Sequence, residues 1–138
     1  MSGDVDEGAP WNRRAPGWFW WAAGLCFLWN VLGAALFVMS DLRPQGAMNV
    51  LPAWVTAADV LAVGASLAGS VLMLARVRHA AVAYALSFAG AAGGITWHYA
   101  YGAWALDAGF APRAVVEAGG ILVQLWLSRR MFWLGVLR

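Results

Sequence analysis

The stretch from Leu51 to Ala75, LPAWVTAADVLAVGASLAGSVLMLA, limits what this chain can become more than any other. About 20 apolar residues in a row cover the ~30 Å hydrocarbon core of a bilayer, and this run exceeds that length. It ends at the basic pair Arg76 and Arg78, and it holds one ionisable residue, Asp59. An acid at that depth costs about 3 kcal/mol on insertion scales, so Asp59 is expected to face other protein and to have a reason for being there.

The rest of the chain supplies the surroundings. Of 138 residues, 62% are hydrophobic and only 12% charged, against about 25% charged in a soluble domain. Three further apolar stretches follow the same pattern, which predicts an all-α integral membrane protein built as a bundle of four transmembrane helices. Their expected bounds are 17–39, 52–75, 80–101 and 113–128 or beyond. Residues 1–16 read as a flexible polar tail, with Gly3, Gly8, Pro10 and Pro16 opposing a helix, and 17–138 as one membrane domain. The apolar run after Arg13 and Arg14 is too long for the core of a signal peptide and reads as a retained first span. Pro52 falls at the first turn of the second helix, where its missing N–H is tolerated. Pro44 and Gly46 break the chain before it. The tail 131–138 is expected to lie along the interface or to continue the fourth helix.

All nine basic residues are arginine. Arg13, Arg14, Arg76, Arg78, Arg129, Arg130 and Arg138 fall on one side of an up-down antiparallel bundle, and Arg43 and Arg113 on the other. The positive-inside rule then places both termini in the cytoplasm and the protein in the bacterial inner membrane as a multi-pass protein. Trp18, Trp20 and Trp21 mark the inner boundary, and Trp54 and Trp104 the outer one. The net charge of +2 orients the spans and does not point to nucleic acid. Cys26, the single cysteine, makes no internal disulfide and reads as a small buried apolar residue.

Helical spacing sorts the polar residues inside the spans. Asp59, Ser66 and Ser70 share a face of the second helix, and Glu117, Gly120, Gln124 and Ser128 one of the fourth. Ala23, Cys26, Asn30, Gly33 and Ala34 form a stripe on the first, and Ser87, Ala91, Gly94 and His98 on the third. At 1.5 Å per residue Asp59 lies about 10 Å below the outer surface and Glu117 about 6–8 Å. Asn30 reaches a similar level and His98 sits near the outer end of its helix. The expected site is therefore a polar layer of Asn30, Asp59, His98 and Glu117 for a small polar solute or a proton, with Trp97, Tyr99 and Tyr101 near its mouth. Two carboxyls in a low-dielectric site share protons, which suits proton coupling. The competing expectation is structural: bonds between polar side chains of neighbouring spans average about 0.6 kcal/mol and fix packing alone. On that reading Asn30 and Gln124 are packing bonds.

Other chemistry is absent from the sequence. His79 and His98 fall on opposite sides and no metal-ligand spacing occurs. There is no nucleophile motif, phosphate-binding glycine loop, cofactor signature or nucleic-acid motif, so the chain is not expected to be an enzyme.

Certain short runs resemble a known group. Leu28-Trp29-Asn30-Val31-Leu32-Gly33, Leu51-Pro52-Ala53-Trp54, Val63-Gly64, Gly69-Ser70-Val71-Leu72, the basic turn before Ala80 and Leu86-Ser87 are similar to runs in small four-helix bacterial inner-membrane proteins commonly labelled sugar transporters. The resemblance covers roughly Trp20 to Tyr101 and implies the four-helix fold and inner-membrane location. Asp59 is outside the matched positions. Two function classes follow: a transporter or permease subunit, or a non-catalytic membrane protein that packs against partner subunits. Four short helices enclose little space, so transport would call for a homo-oligomer.

Overall fold

The three most apolar stretches become helices within one residue of their expected ends: α1 is Gly17–Ser40, α2 Ala53–Leu74 and α3 Ala80–Ala100. Each is long and apolar enough to cross a membrane. The computed structural model describes residues 15–40, 51–101 and 110–138. The N-terminal segment with Arg13 and Arg14, the connection carrying Arg43, and the one carrying Trp104 lie outside the described residues.

The fourth helix, α4, is Phe110–Trp133, starting three residues before the expected 113 and running past 128, as its open C-terminal bound allowed. Pro112 stands third in it, where an N–H has no intrahelical acceptor to lose, so the helix starts before the proline. Its C-terminal extension passes through Arg129 and Arg130, residues that favour helix, and the Arg130 guanidinium lies 5.3 Å from the Trp126 ring centroid one turn back. α4 matches α1 in length at 24 residues. Arg113, Glu117, Arg129 and Arg130 separate it from the three helices apolar enough to cross a membrane.

α2 and α3 form the closest pair, because glycine removes the side chains that would hold them apart. A Cβ on Gly90 would stand 2.5 Å from the Ala58 carbonyl oxygen and 2.8 Å from the Ala62 nitrogen, so the α3 backbone rests on the α2 backbone. Lower on the same seam Gly69 of α2 receives the ring of Tyr84 from α3, with ring carbons 3.0 Å from where a Cβ would be. The Ser87 hydroxyl donates across the seam to the Ala62 carbonyl at 2.7 Å. Ser66, Ser70 and Ser128 instead donate to carbonyls three residues back in their own helices, which satisfies a hydroxyl where no water reaches it.

One core cluster gathers Phe19 and Ala23 of α1, Met73 of α2, Ala80 and Tyr84 of α3, and Leu127 and Met131 of α4, closed by Val136 and Leu137. A smaller one joins Ala62, Ala91 and Ile121. Outside these, α1 presents Trp21, Leu25 and Leu28 outward. Such a surface is compatible with lipid rather than water.

The last residues neither run along the surface nor extend the helix beyond Trp133. At Gly135 the backbone turns left-handed, with φ 70°. Gly135 N–H donates to Phe132 and Val136 N–H to Met131, the paired bonds of a Schellman stop. The chain then returns to the α2–α3 turn. Arg138 N–H donates to the Arg76 carbonyl at 2.7 Å, and Arg78 N–H to the Arg138 carbonyl at 2.6 Å. Arg76 is itself the left-handed residue of a second Schellman stop, at φ 59°, and its Nε donates to the Val136 carbonyl at 2.8 Å. A non-glycine residue in that conformation costs about 1–2 kcal/mol, and a hydrogen bond from a charged donor returns about 1.5–3 kcal/mol. Arg76→Ala keeps the backbone penalty and loses the bond, so it should lower stability in detergent by about 2 kcal/mol. Arg76→Gly loses the bond but also the penalty, so its loss should be about 1 kcal/mol smaller. Equal thermal shifts for the two variants would contradict this balance.

Candidate functional site

The amide of Asn30 is the polar centre of the bundle. It lies midway along α1, is buried, and faces both α2 and α4. Its Nδ2 donates to Gln124 Oε1 of α4 at 2.9 Å and to the Ser66 carbonyl of α2 at 3.1 Å. Three helices that are far apart in sequence are thus joined by one side chain.

Beyond this junction α1 and α4 leave a groove of about 650 Å³ against α2. Its walls are Leu32, Leu36 and Phe37 of α1, Ala62 and Val63 of α2, and Val116 and Ile121 of α4. Asn30 and Ser66 form its floor, and Arg113 and Glu117 stand toward the start of α4. Measured along α4, from Pro112 to Ile121, it is about 13 Å long. That volume falls within the range of small-molecule sites, which combine mainly apolar walls with a few placed polar groups. Gly33 also lines the groove, and a Cβ added there would meet nothing within 4 Å.

The four residues expected to form one layer are placed in two settings. Asn30 and Glu117 both line the groove, Asn30 buried and Glu117 exposed. Asp59, half-buried, lies on the α2–α3 seam, where its Oδ1 occupies the space that a Cβ on Gly94 would need. His98 follows one turn after Gly94 on α3 and is also half-buried. Above Asp59, at the start of α2 and end of α3, Trp54 meets Trp97 edge to face at 5.2 Å, and Trp97 stacks on Tyr101 at 3.8 Å. Tyr99 points outward.

Two participants stand out only in the structure. Arg113 lines the groove, and its four-residue offset from Glu117 puts both on one face of α4; the offset is visible in the sequence, but the groove is not. Trp29 also lines the groove, with its Nε1 3.7 Å from the position of a Cβ on Gly120. Among the described residues no three His, Cys, Asp or Glu side chains converge as metal ligands. Comparison with known proteins found no matching family model, no similar curated protein and no similar solved structure.

Proposed function

We propose that this chain is a subunit of a small-solute transporter in a bacterial inner membrane, and that the groove between α1, α2 and α4 is its solute site. The observation that carries this reading is the groove itself. An otherwise apolar cleft has an amide floor at Asn30 and opposite charges at Arg113 and Glu117, the mixture that orients a small polar molecule. On this reading all four helices cross the bilayer in alternating directions. The core cluster supports that arrangement, since it unites the start of α1, the end of α2, the start of α3 and the end of α4. Arg76, Arg78, Arg129, Arg130 and Arg138 belong to that same end, which the positive-inside rule assigns to the cytoplasm. The groove is bounded by helices on three sides, so a closed path calls for a second copy. Asp59 and His98, on the neighbouring seam, are then the groups that would couple a proton. The likeness of the first three helices to proteins labelled sugar transporters makes neutral sugars the first solutes to try.

A second reading has its own observation. Both amide hydrogens of Asn30 are engaged by protein acceptors, as in a residue that only fixes helix packing against partner subunits. Uptake by proteoliposomes separates the two, using labelled neutral sugars and amino acids together with an internal pH dye. Gly33→Phe projects a ring into open groove space, so it should reduce uptake at least tenfold while leaving the protein folded and monodisperse. Asp59→Asn should abolish any accompanying proton movement. Wild-type vesicles that match empty vesicles for every solute would leave the packing reading in place.

A further inference from the structure

We propose that the outward strip of α4 from Leu122 to Leu134 binds one anionic glycerophospholipid, its phosphate held by Arg129 and Arg130. This site is separate from the groove and does not depend on what the groove carries.

The spacing builds it. Leu122, Trp126, Arg129 and Trp133 recur at four, three and four residues, so they lie on one face of the helix. With Arg130 and Leu134 they line a shallow cleft of about 610 Å³. Trp126 is 58% exposed and Trp133 77%, so both indoles are open to a bound molecule. Arg130 is set over the Trp126 ring at 5.3 Å, within cation–π range, and it lines the same cleft as Arg129. Leu122 and Trp126 precede the two guanidinium groups along the helix and match the acyl chain and glycerol ester level of a lipid whose phosphate reaches Arg129 and Arg130, while Trp133 and Leu134 close the cleft on the far side of the arginines. Indoles favour the ester level of a bilayer, and guanidinium forks bind phosphate oxygens in pairs.

Charge selects the head group. The described part of this end carries Arg76, Arg78, Arg129, Arg130 and Arg138 and no Asp or Glu side chain. The two described acids are distant: Glu117 is about 18 Å from Arg129 along α4, and Asp59 about 25 Å from Arg76 along α2. The Arg76 guanidinium is engaged by the Val136 carbonyl. Arg129 and Arg130 are both exposed, and a zwitterionic head would bring its ammonium group toward two guanidinium groups. Basic pockets at the cytoplasmic side of spans have this preference for anionic lipid.

The test uses the full chain in a neutral detergent, titrated with phosphatidylglycerol or phosphatidylcholine and read by native mass spectrometry. Phosphatidylglycerol should be retained as one molecule per chain, at least tenfold more than phosphatidylcholine. The pair Arg129→Gln/Arg130→Gln should remove that preference, whereas Arg13→Gln/Arg14→Gln, which removes the same charge, should preserve it. Arg130→Lys retains charge but not the planar fork, and should weaken retention several-fold, which guards against a misfolded double variant. Millimolar inorganic phosphate should leave the lipid bound, because the indoles and leucines hold its chains. Equal retention of both lipids, equal loss from both arginine pairs, or complete displacement by phosphate would each overturn the proposal.

Discussion

Gly90→Ala is expected to destabilise the bundle by about 2–3 kcal/mol, although it adds a single methyl group and replaces the poorest helix former after proline with the best. The atoms in the way are the Ala58 carbonyl oxygen and the Ala62 nitrogen. Both belong to backbone, so no rotamer change relieves the clash and α2 and α3 must separate. The Ser87 bond to Ala62 lies one turn away and would lengthen with them. Gly93→Ala is the matched control. A Cβ there meets only the Ala58 methyl at 3.6 Å, an ordinary contact, so the helix-propensity gain of about 1 kcal/mol should appear as a small rise in stability. Thermal unfolding in detergent, followed by circular dichroism, checks both. Shifts of the same sign for the two variants would mean that α2 and α3 do not meet backbone to backbone.

Gly94→Ala should also destabilise, by about 1–3 kcal/mol, but this loss should be recoverable. The obstacle is the Asp59 carboxylate, a side chain that can be removed. In an Asp59→Ala background the same Gly94→Ala change should cost under about 0.5 kcal/mol, a coupling of at least 1 kcal/mol between the two positions. Additive losses would show that the carboxylate is not seated on Gly94. Asp59→Ala alone is informative as well. A purely structural polar contact between spans is worth about 0.6 kcal/mol. A variant that is no less stable than wild type would leave transport, not packing, as the reason for an acid at that depth.

The sequence made α1, α2 and α3 legible because each is a long apolar run, α2 ended by Arg76 and α3 followed by Gly102. It made the inward faces legible because the interval of three, four and seven residues is the same in lipid as in water. Ser66, Ser70, Ser87, Ala91, Gly94, Gln124 and Ser128 are buried on the expected stripes. The ends of α4 were less legible, since hydropathy falls at Pro112, Arg113, Arg129 and Arg130 whereas backbone hydrogen bonding continues through them. For the candidate site, spacing gave the face of each residue but not which neighbouring helix that face meets. Asn30 and Glu117 share a groove, and Asp59 meets Gly94, through the lateral order of the helices. The return of Val136 and Leu137 to the core had no periodic signature, because it rests on two left-handed turns, one at an arginine.

That return has a consequence for how the chain assembles. The α2–α3 pair is local in sequence and can close as soon as both helices have entered the membrane. Its connecting turn is then left with Arg76 in an unfavourable conformation and without the bonds from Arg138. Those bonds, and the one to Val136 across 60 residues, arrive only when residues 136–138 have been made. The hairpin formed first is thus completed by a segment synthesised some 60 residues later. A reporter or affinity tag joined directly to Arg138 would be placed against that turn, so a spacer of several flexible residues belongs between them in any fusion used to measure orientation or stability.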